Sequence, residues 1–345
     1  MTRVPKRRRQ ARIPTPAWER PRGTLGSRVL GRSGQFYGTV AVGLLIAVAL
    51  AVIGYAFLSD YIEKQQRPGS TAIKVEDTKF RLDYYSDRLK MFVDQLGGPS
   101  TDAAQQPSVL ENVANNIITE EIVRRFAKEL EVTASEDEIK EAIAKRLGIT
   151  VDDKTFDVVF QQELTRSSLN EQDYRKMVQA EVLIDKLRKK FEEKVPASVE
   201  SAHYRQIVVS ADDAAQEVRD QLEGGADFAA LAKENSLDTS TKEKGGDVGW
   251  VPRGVLDPAM EELVFALEPG GVTTVPSAQG VYVVEMLEKA KDRPLDSAQK
   301  VPLANRAFAD WVKEKKSSLT IVNNMSLSDG DKVKRDWAVN RAYRS

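Results

Sequence analysis

Hydrophobic positions along the chain fall into three regimes, and each predicts a different kind of structure. The first is an unbroken block. Residues 40–58 read Val-Ala-Val-Gly-Leu-Leu-Ile-Ala-Val-Ala-Leu-Ala-Val-Ile-Gly-Tyr-Ala-Phe-Leu, inside a stretch from Ser33 to Ser59 that carries no charge. Such a run predicts one membrane-spanning helix, since about 20 apolar residues cross the hydrocarbon layer. In the second regime, about 130 residues long, the spacing is helical. Phe80, Tyr84, Met91, Val93 and Leu96 mark a helix over 79–96. Leu110, Val113, Ile117, Ile118, Ile122, Phe126 and Leu130 form a stronger stripe over 110–130. Ser135 and Glu138 are spaced as a capping box ahead of a helix that Gly148 closes, and Asn170 caps another that runs to Pro196.

The third regime starts after Pro196, where the period drops to two. Residues 203–209 alternate as a strand, and Asp227 caps a short helix. Asp257-Pro258 opens another helix, and 281–286 is an apolar strand. This order predicts an α+β unit, a small β-sheet covered by helices. Residues 302–316 return to helical spacing through Leu303, Ala307, Phe308, Trp311 and Val312. The polar stretch 319–345, with scattered aromatics, reads as a disordered tail.

Charge gives the block its orientation. Residues 1–36 hold ten Lys/Arg and one acid, Glu19, leaving 41 Lys/Arg against 51 Asp/Glu in the rest of the chain. The positive-inside rule then places 1–36 in the cytoplasm as a basic tail, 37–59 in the membrane and everything after Asp60 outside. A secretory signal is the alternative, with Gly54-Tyr55-Ala56 as a small-x-small cleavage site, but its apolar region is ordinarily shorter, so a retained single-pass anchor is the preferred reading. The Lys6-Arg7-Arg8-Arg9 cluster beside a span reads as a contact for membrane lipid rather than for nucleic acid.

Composition closes off most catalytic chemistry. The 345 residues include no cysteine and a single histidine, His203, which excludes disulfides, thiol nucleophiles, Cys-ligated zinc and multi-histidine metal centres. No metal and no cofactor are expected. His203 reads as an exposed residue at the start of its strand, and it lies an odd three residues from Gln206, on the opposite face.

Five phrases in sequence order carry a family resemblance: Gly225-Ala-Asp-Phe-Ala-Ala-Leu-Ala232, Ser236-Leu-Asp238, Gly245-Gly-Asp-Val-Gly-Trp250, Phe265-Ala-Leu-Glu-Pro-Gly270 and Gln279-Gly-Val-Tyr282. Residues 203–290 resemble a parvulin-type peptidyl-prolyl cis-trans isomerase. The whole layout is similar to that of extracytoplasmic foldases of the PrsA and SurA type. The resemblance implies a helical chaperone-like domain from 60–195 plus about 296–318, a parvulin-like domain over 196–292, and unfolded or exported proline-containing polypeptides as partners. It also implies a site. Val248, Leu256 and Met260 would line the proline pocket, and Asp238 would face the twisting bond. Two positions depart from the family, because Gln206 and Tyr282 stand where it carries histidines. Both side chains can hydrogen bond, so the pair could brace Asp238 across the sheet floor, but neither residue type exchanges a proton near neutral pH. A domain of this kind is either an isomerase or, if the histidines are indispensable, a peptide-binding module within a non-catalytic membrane-anchored chaperone. A single-pass scaffold with one defined partner is a third reading.

Overall fold

The computed structural model describes residues 40–55, 58, 67–96 and 106–344. The basic tail 1–36, both edges of the expected span and residues 60–66 lie outside this set. The chain divides into Met1–Gln66 and Arg67–Ser345. In the first unit, residues 40–55 form helix α1, its apolar side chains exposed, Leu45 at 70%. Among the described residues no helix is long and apolar enough to cross a membrane.

The second unit runs β1 (Thr71–Val75), β2 (Thr78–Arg81), α2 (Leu82–Gln95), α3 (Gln106–Phe126), α4 (Glu136–Leu147), α5 (Phe156–Ser167) and α6 (Glu171–Glu193). It continues with β3 (Ser198–Val209), α7 (Asp212–Glu223), α8 (Phe228–Asn235), β4 (Asp247–Pro252), α9 (Pro258–Ala266), β5 (Val272–Ser277) and β6 (Gly280–Pro294). It ends with α10 (Ser297–Ser317), β7 (Ile321–Asn323) and α11 (Lys332–Arg344). Local signals set several boundaries. Ser135 and Glu138 form the reciprocal capping box that starts α4, and Gly148 ends it at φ 71°. The Asn170 side chain accepts from the Asp173 amide at the start of α6.

Two expectations are corrected here. Residues 79–81 are strand, not helix. β2 turns back on β1 in a tight hairpin, with Val75 opposite Thr78 and Ile73 opposite Phe80, and this pairing overrides the helical spacing that Phe80 begins; β1 in turn lies between β2 and β7 in a three-stranded antiparallel sheet. The pairing of β1 with β7 orders the C-terminal segment, which is folded rather than disordered. Met325, Ala338 and Ala342 are buried against Ile73, Leu82, Tyr85 and Ile117. Ser86 Oγ donates to the Ala338 carbonyl at 2.9 Å, and Arg341 Nη2 donates to Asp87 at 2.8 Å. Its apolar residues, among them the adjacent Ile321-Val322 and Trp337-Ala338-Val339, are interrupted by the polar run 328–332, which reads as a solvated tail although α11 closes on α2.

Helix α10 also joins the helical domain. Phe308 and Trp311 are buried with Val123, Ala127, Leu183 and Leu187, and their rings lie 6.4 and 6.3 Å from that of Phe191. The remaining strands form one antiparallel sheet in the order β4-β3-β6-β5. Alternation divides its faces. Ile207, Val209, Val281 and Val283 meet Ala215, Val218, Phe228 and Leu231 of α7 and α8. Tyr204, Val284 and Met286 meet Val275 and, from α9, Val264 and Phe265.

Candidate active site

The second of these faces carries the residues that the resemblance singles out. Tyr204, Gln206 and Val208 follow one another at period two along β3, opposite Met286, Val284 and Tyr282 of β6. Ser236, 2% exposed, anchors the loop after α8 to this strand. Its hydroxyl accepts from the Val208 and Asp238 amides, and the Leu237 amide donates to the Val208 carbonyl at 2.7 Å. The loop therefore delivers Asp238 to Gln206.

The Asp238 carboxylate is almost fully engaged. Gln206 Nε2 donates to Oδ2 at 2.8 Å, and Thr241 Oγ1 donates to the same oxygen at 2.5 Å. Ser240 donates to Oδ1 through its amide at 3.0 Å and its hydroxyl at 2.6 Å. Burial pushes the carboxyl upward, but these donors from Ser240, Thr241 and Gln206 outweigh it and hold the pKa at about 2. Asp238 is thus a fixed acceptor near neutral pH. Thr241 was not among the residues singled out from sequence; the short Asp-x-x-Thr turn is the signal that places its hydroxyl.

Gly246 fixes the backbone under Gln206. It lies at φ +82°, and a Cβ there would sit 2.5 Å from the Gln206 carbonyl oxygen. Its own carbonyl accepts from the Gln206 amide at 2.8 Å. Only glycine permits this approach.

Tyr282 behaves differently from Gln206. Among the described residues no hydrogen bond joins it to Asp238, and it packs half-buried on the apolar cluster of Tyr204 and Val284. The expected two-residue brace is a one-residue brace in this structure. Tyr204, buried at 2% exposure, lies beneath the site in the apolar cluster. Burial raises its hydroxyl pKa, and the adjacent Tyr282 and Asp238 raise it further. Period-two alternation from Gln206 was the signal that points to it.

Val248, Leu256 and Met260 are half-buried and pack on the same cluster as Tyr204 and Val284. The structure therefore brings together an apolar wall, a hydrogen-bonded carboxylate and two tyrosines on one face of the sheet. His203 is not part of it. Its Nε2 lies 2.9 Å from Asp247 Oδ1 and its ring centroid 5.4 Å from that of Trp250. The expectation of an exposed strand-start residue is corrected: β3 begins at Ser198, and pairing with Trp250 of β4 leaves the His203 side chain 21% exposed. Among the described residues no three His, Cys, Asp or Glu side chains converge as a metal site.

Comparison with known proteins follows this division of the chain. Residues 186–290 match the PPIC-type PPIASE domain, and residues 33–188 match the SurA-like N-terminal domain. The foldase protein PrsA of Caldanaerobacter subterraneus is 27% identical over 275 residues, covering 74% of this chain and 85% of that protein. Foldase protein PrsA 2 of Bacillus cereus is 31% identical over 131 residues, covering 36% of this chain and 46% of that protein. The crystal structure of the Bacillus anthracis peptidylprolyl isomerase PrsA superposes with a TM-score of 0.43 at 22% identity, covering 59% of this chain and 93% of that one. The chain thus joins a SurA-like N-terminal domain over residues 33–188 to a PPIC-type PPIase domain over residues 186–290.

Proposed function

We propose that this chain is an extracytoplasmic folding factor, held at the membrane by residues 37–59, whose parvulin domain isomerises Xaa-Pro bonds in exported polypeptides. The observation that carries the reading is the Gln206 to Asp238 hydrogen bond beside the wall of Val248, Leu256 and Met260.

Rotation about an Xaa-Pro bond crosses a barrier of about 20 kcal/mol because it breaks amide resonance. No bond is made or broken to a nucleophile. An enzyme needs to seat the ring, remove water from the amide and favour the twisted form over the planar one. Val248, Leu256 and Met260 seat the ring. Asp238, kept ionised by its donors, sets a fixed negative charge toward the carbonyl oxygen, where it disfavours the planar form, whose resonance puts charge on that oxygen, more than the twisted form. Gln206 holds that carboxylate in one orientation and does not change charge. Tyr282, on the neighbouring strand, contributes the edge of the pocket.

The second reading is favoured by one fact, that Gln206 and Tyr282 occupy both family histidine positions. In it the same surface binds proline-containing segments without turnover, and the chain acts as a membrane-anchored chaperone. Turnover of a prolyl peptide by the whole chain, lost in Asp238→Ala, supports the isomerase. Suppression of aggregation of an unfolded protein with no turnover selects the chaperone.

A further inference from the structure

The apolar wall of the proposed site is not supported by the parvulin domain alone. Leu256 lies in the loop between β4 and α9; of three side chains on one stripe of α10, Leu303 and Arg306 reach that loop and Gln299 reaches β4 just before it. Gln299 Nε2 donates to the Trp250 carbonyl at 3.2 Å. Leu303 Cδ2 lies close enough to Gly254 that a Cβ at that glycine would be 3.0 Å from it. Arg306 Nη1 donates to the Leu256 carbonyl at 2.7 Å and to that of Gly254 at 3.4 Å. Positions 299, 303 and 306 are four and three apart and so share a helix face. A different stripe of the same helix, Phe308 and Trp311, is buried in the helical domain.

Gly254 explains why the grip is close. It sits at φ +100°, a conformation that side chains rarely adopt, and it lets the loop backbone come up against Leu303. Within the parvulin domain, Glu261 of α9 accepts from the Gly254 amide, and Arg253 stacks over Phe265 at 4.2 Å. The loop is therefore clamped between α9 and α10.

We propose that Arg306 is a positioning residue for the proline pocket, the link through which the helical domain sets the Leu256 wall. The inference rests on the isomerase and peptide-binding site proposed above. Its physical basis is that a guanidinium on a backbone carbonyl is a charge-assisted hydrogen bond, worth more than a neutral one, and that this carbonyl belongs to a pocket-lining residue. Loosening it frees the wall without touching Asp238 or Gln206.

The test uses the whole chain as wild type, Arg306→Ala, Arg306→Lys and, as a control on an exposed part of the same helix, Lys313→Ala. A short Ala-Pro peptide is titrated while the Leu256 methyl signals are followed by NMR, and turnover is measured in parallel. Arg306→Ala should weaken peptide binding or raise KM about tenfold with kcat nearly unchanged, since one charge-assisted bond is lost. The Leu256 methyl signals should shift, Arg306→Lys should recover part of the affinity, and Lys313→Ala should match wild type. Unchanged affinity and unchanged Leu256 signals in Arg306→Ala overturn the proposal. So does a loss of affinity that Lys313→Ala reproduces. A wild-type chain that binds the peptide without turnover rejects the isomerase reading alone, because the affinity comparison still decides the role of Arg306.

Discussion

Gln206 Nε2 donates to Asp238 Oδ2 at 2.8 Å, joining the first strand of the parvulin sheet to the loop that carries its acid. The same oxygen accepts from Thr241, and the other from Ser240. The network this amide completes contains no group that changes charge near neutrality.

That network sets the pH dependence. The Asp238 pKa of about 2 lies below the ordinary carboxylate value of 3.8. A depressed carboxyl stabilises the folded state above its unfolded pKa and loses that contribution as pH falls through the folded value. The window is therefore about pH 4 down to about pH 2. Turnover should be flat from about pH 5 to about pH 8, and a kcat/KM profile with an inflection between pH 6 and 7 would oppose the assignment.

The two halves of the site should separate kinetically. Met260→Ala removes wall surface and should weaken prolyl-peptide binding by about tenfold, equivalent to about 1.4 kcal/mol of apolar contact. Asp238→Ala should lower kcat at least about tenfold with binding less affected, because its role lies with the twisted amide. Isothermal titration beside exchange kinetics reads both quantities.

Restoring the family's side chains is a third test. Gln206→His with Tyr282→His should raise turnover or leave it unchanged. A fall in turnover, with the fold intact by circular dichroism, would mean that the amide is better suited to this carboxylate than an imidazole.

The C-terminal segment should matter to the helical domain more than its composition suggests. Met325 is fully buried and Trp311 is 9% exposed. Met325→Ala is expected to cost about 2–5 kcal/mol and Trp311→Ala about 3–5 kcal/mol. Denaturant melts of the whole chain check this, and an unchanged midpoint in Met325→Ala would place β7 and α11 outside the cooperative unit.

The proposed anchor makes a prediction about topology. Protease added to spheroplasts should digest the chain beyond Asp60 while the basic tail is protected. Protection of the C-terminal region in sealed cells would reverse the orientation.

Where structure depended on neighbours in sequence, it was legible beforehand. The capping box at Ser135, the cap at Asn170 and the proline start of α9 act within one helical turn, and the alternation after Pro196 reports a sheet with two different faces. What could not be read came from pairing at a distance. β1 forms a hairpin with β2 and takes β7 along its other edge, and α11 packs on α2 through Ala338 and Ala342. The site shows the same split. Asp238, Leu256 and Met260 are singled out by motif order and Gln206 by its place on β3, and all four lie at the proposed site. Tyr204 and Thr241 required the register and the loop turn, and the absence of a Tyr282 to Asp238 bond among the described residues required the coordinates.

The central claim is catalysis by a parvulin site that has no histidine in its network. It is tested most directly by NMR exchange between cis and trans Ala-Pro in a short peptide, with the whole chain present at substoichiometric concentration. Exchange faster than in the free peptide, returning to the uncatalysed rate in Asp238→Ala, is the result predicted. Exchange at the free-peptide rate, at a concentration where the chain demonstrably binds the peptide, would contradict it and leave a binding module in place of an enzyme.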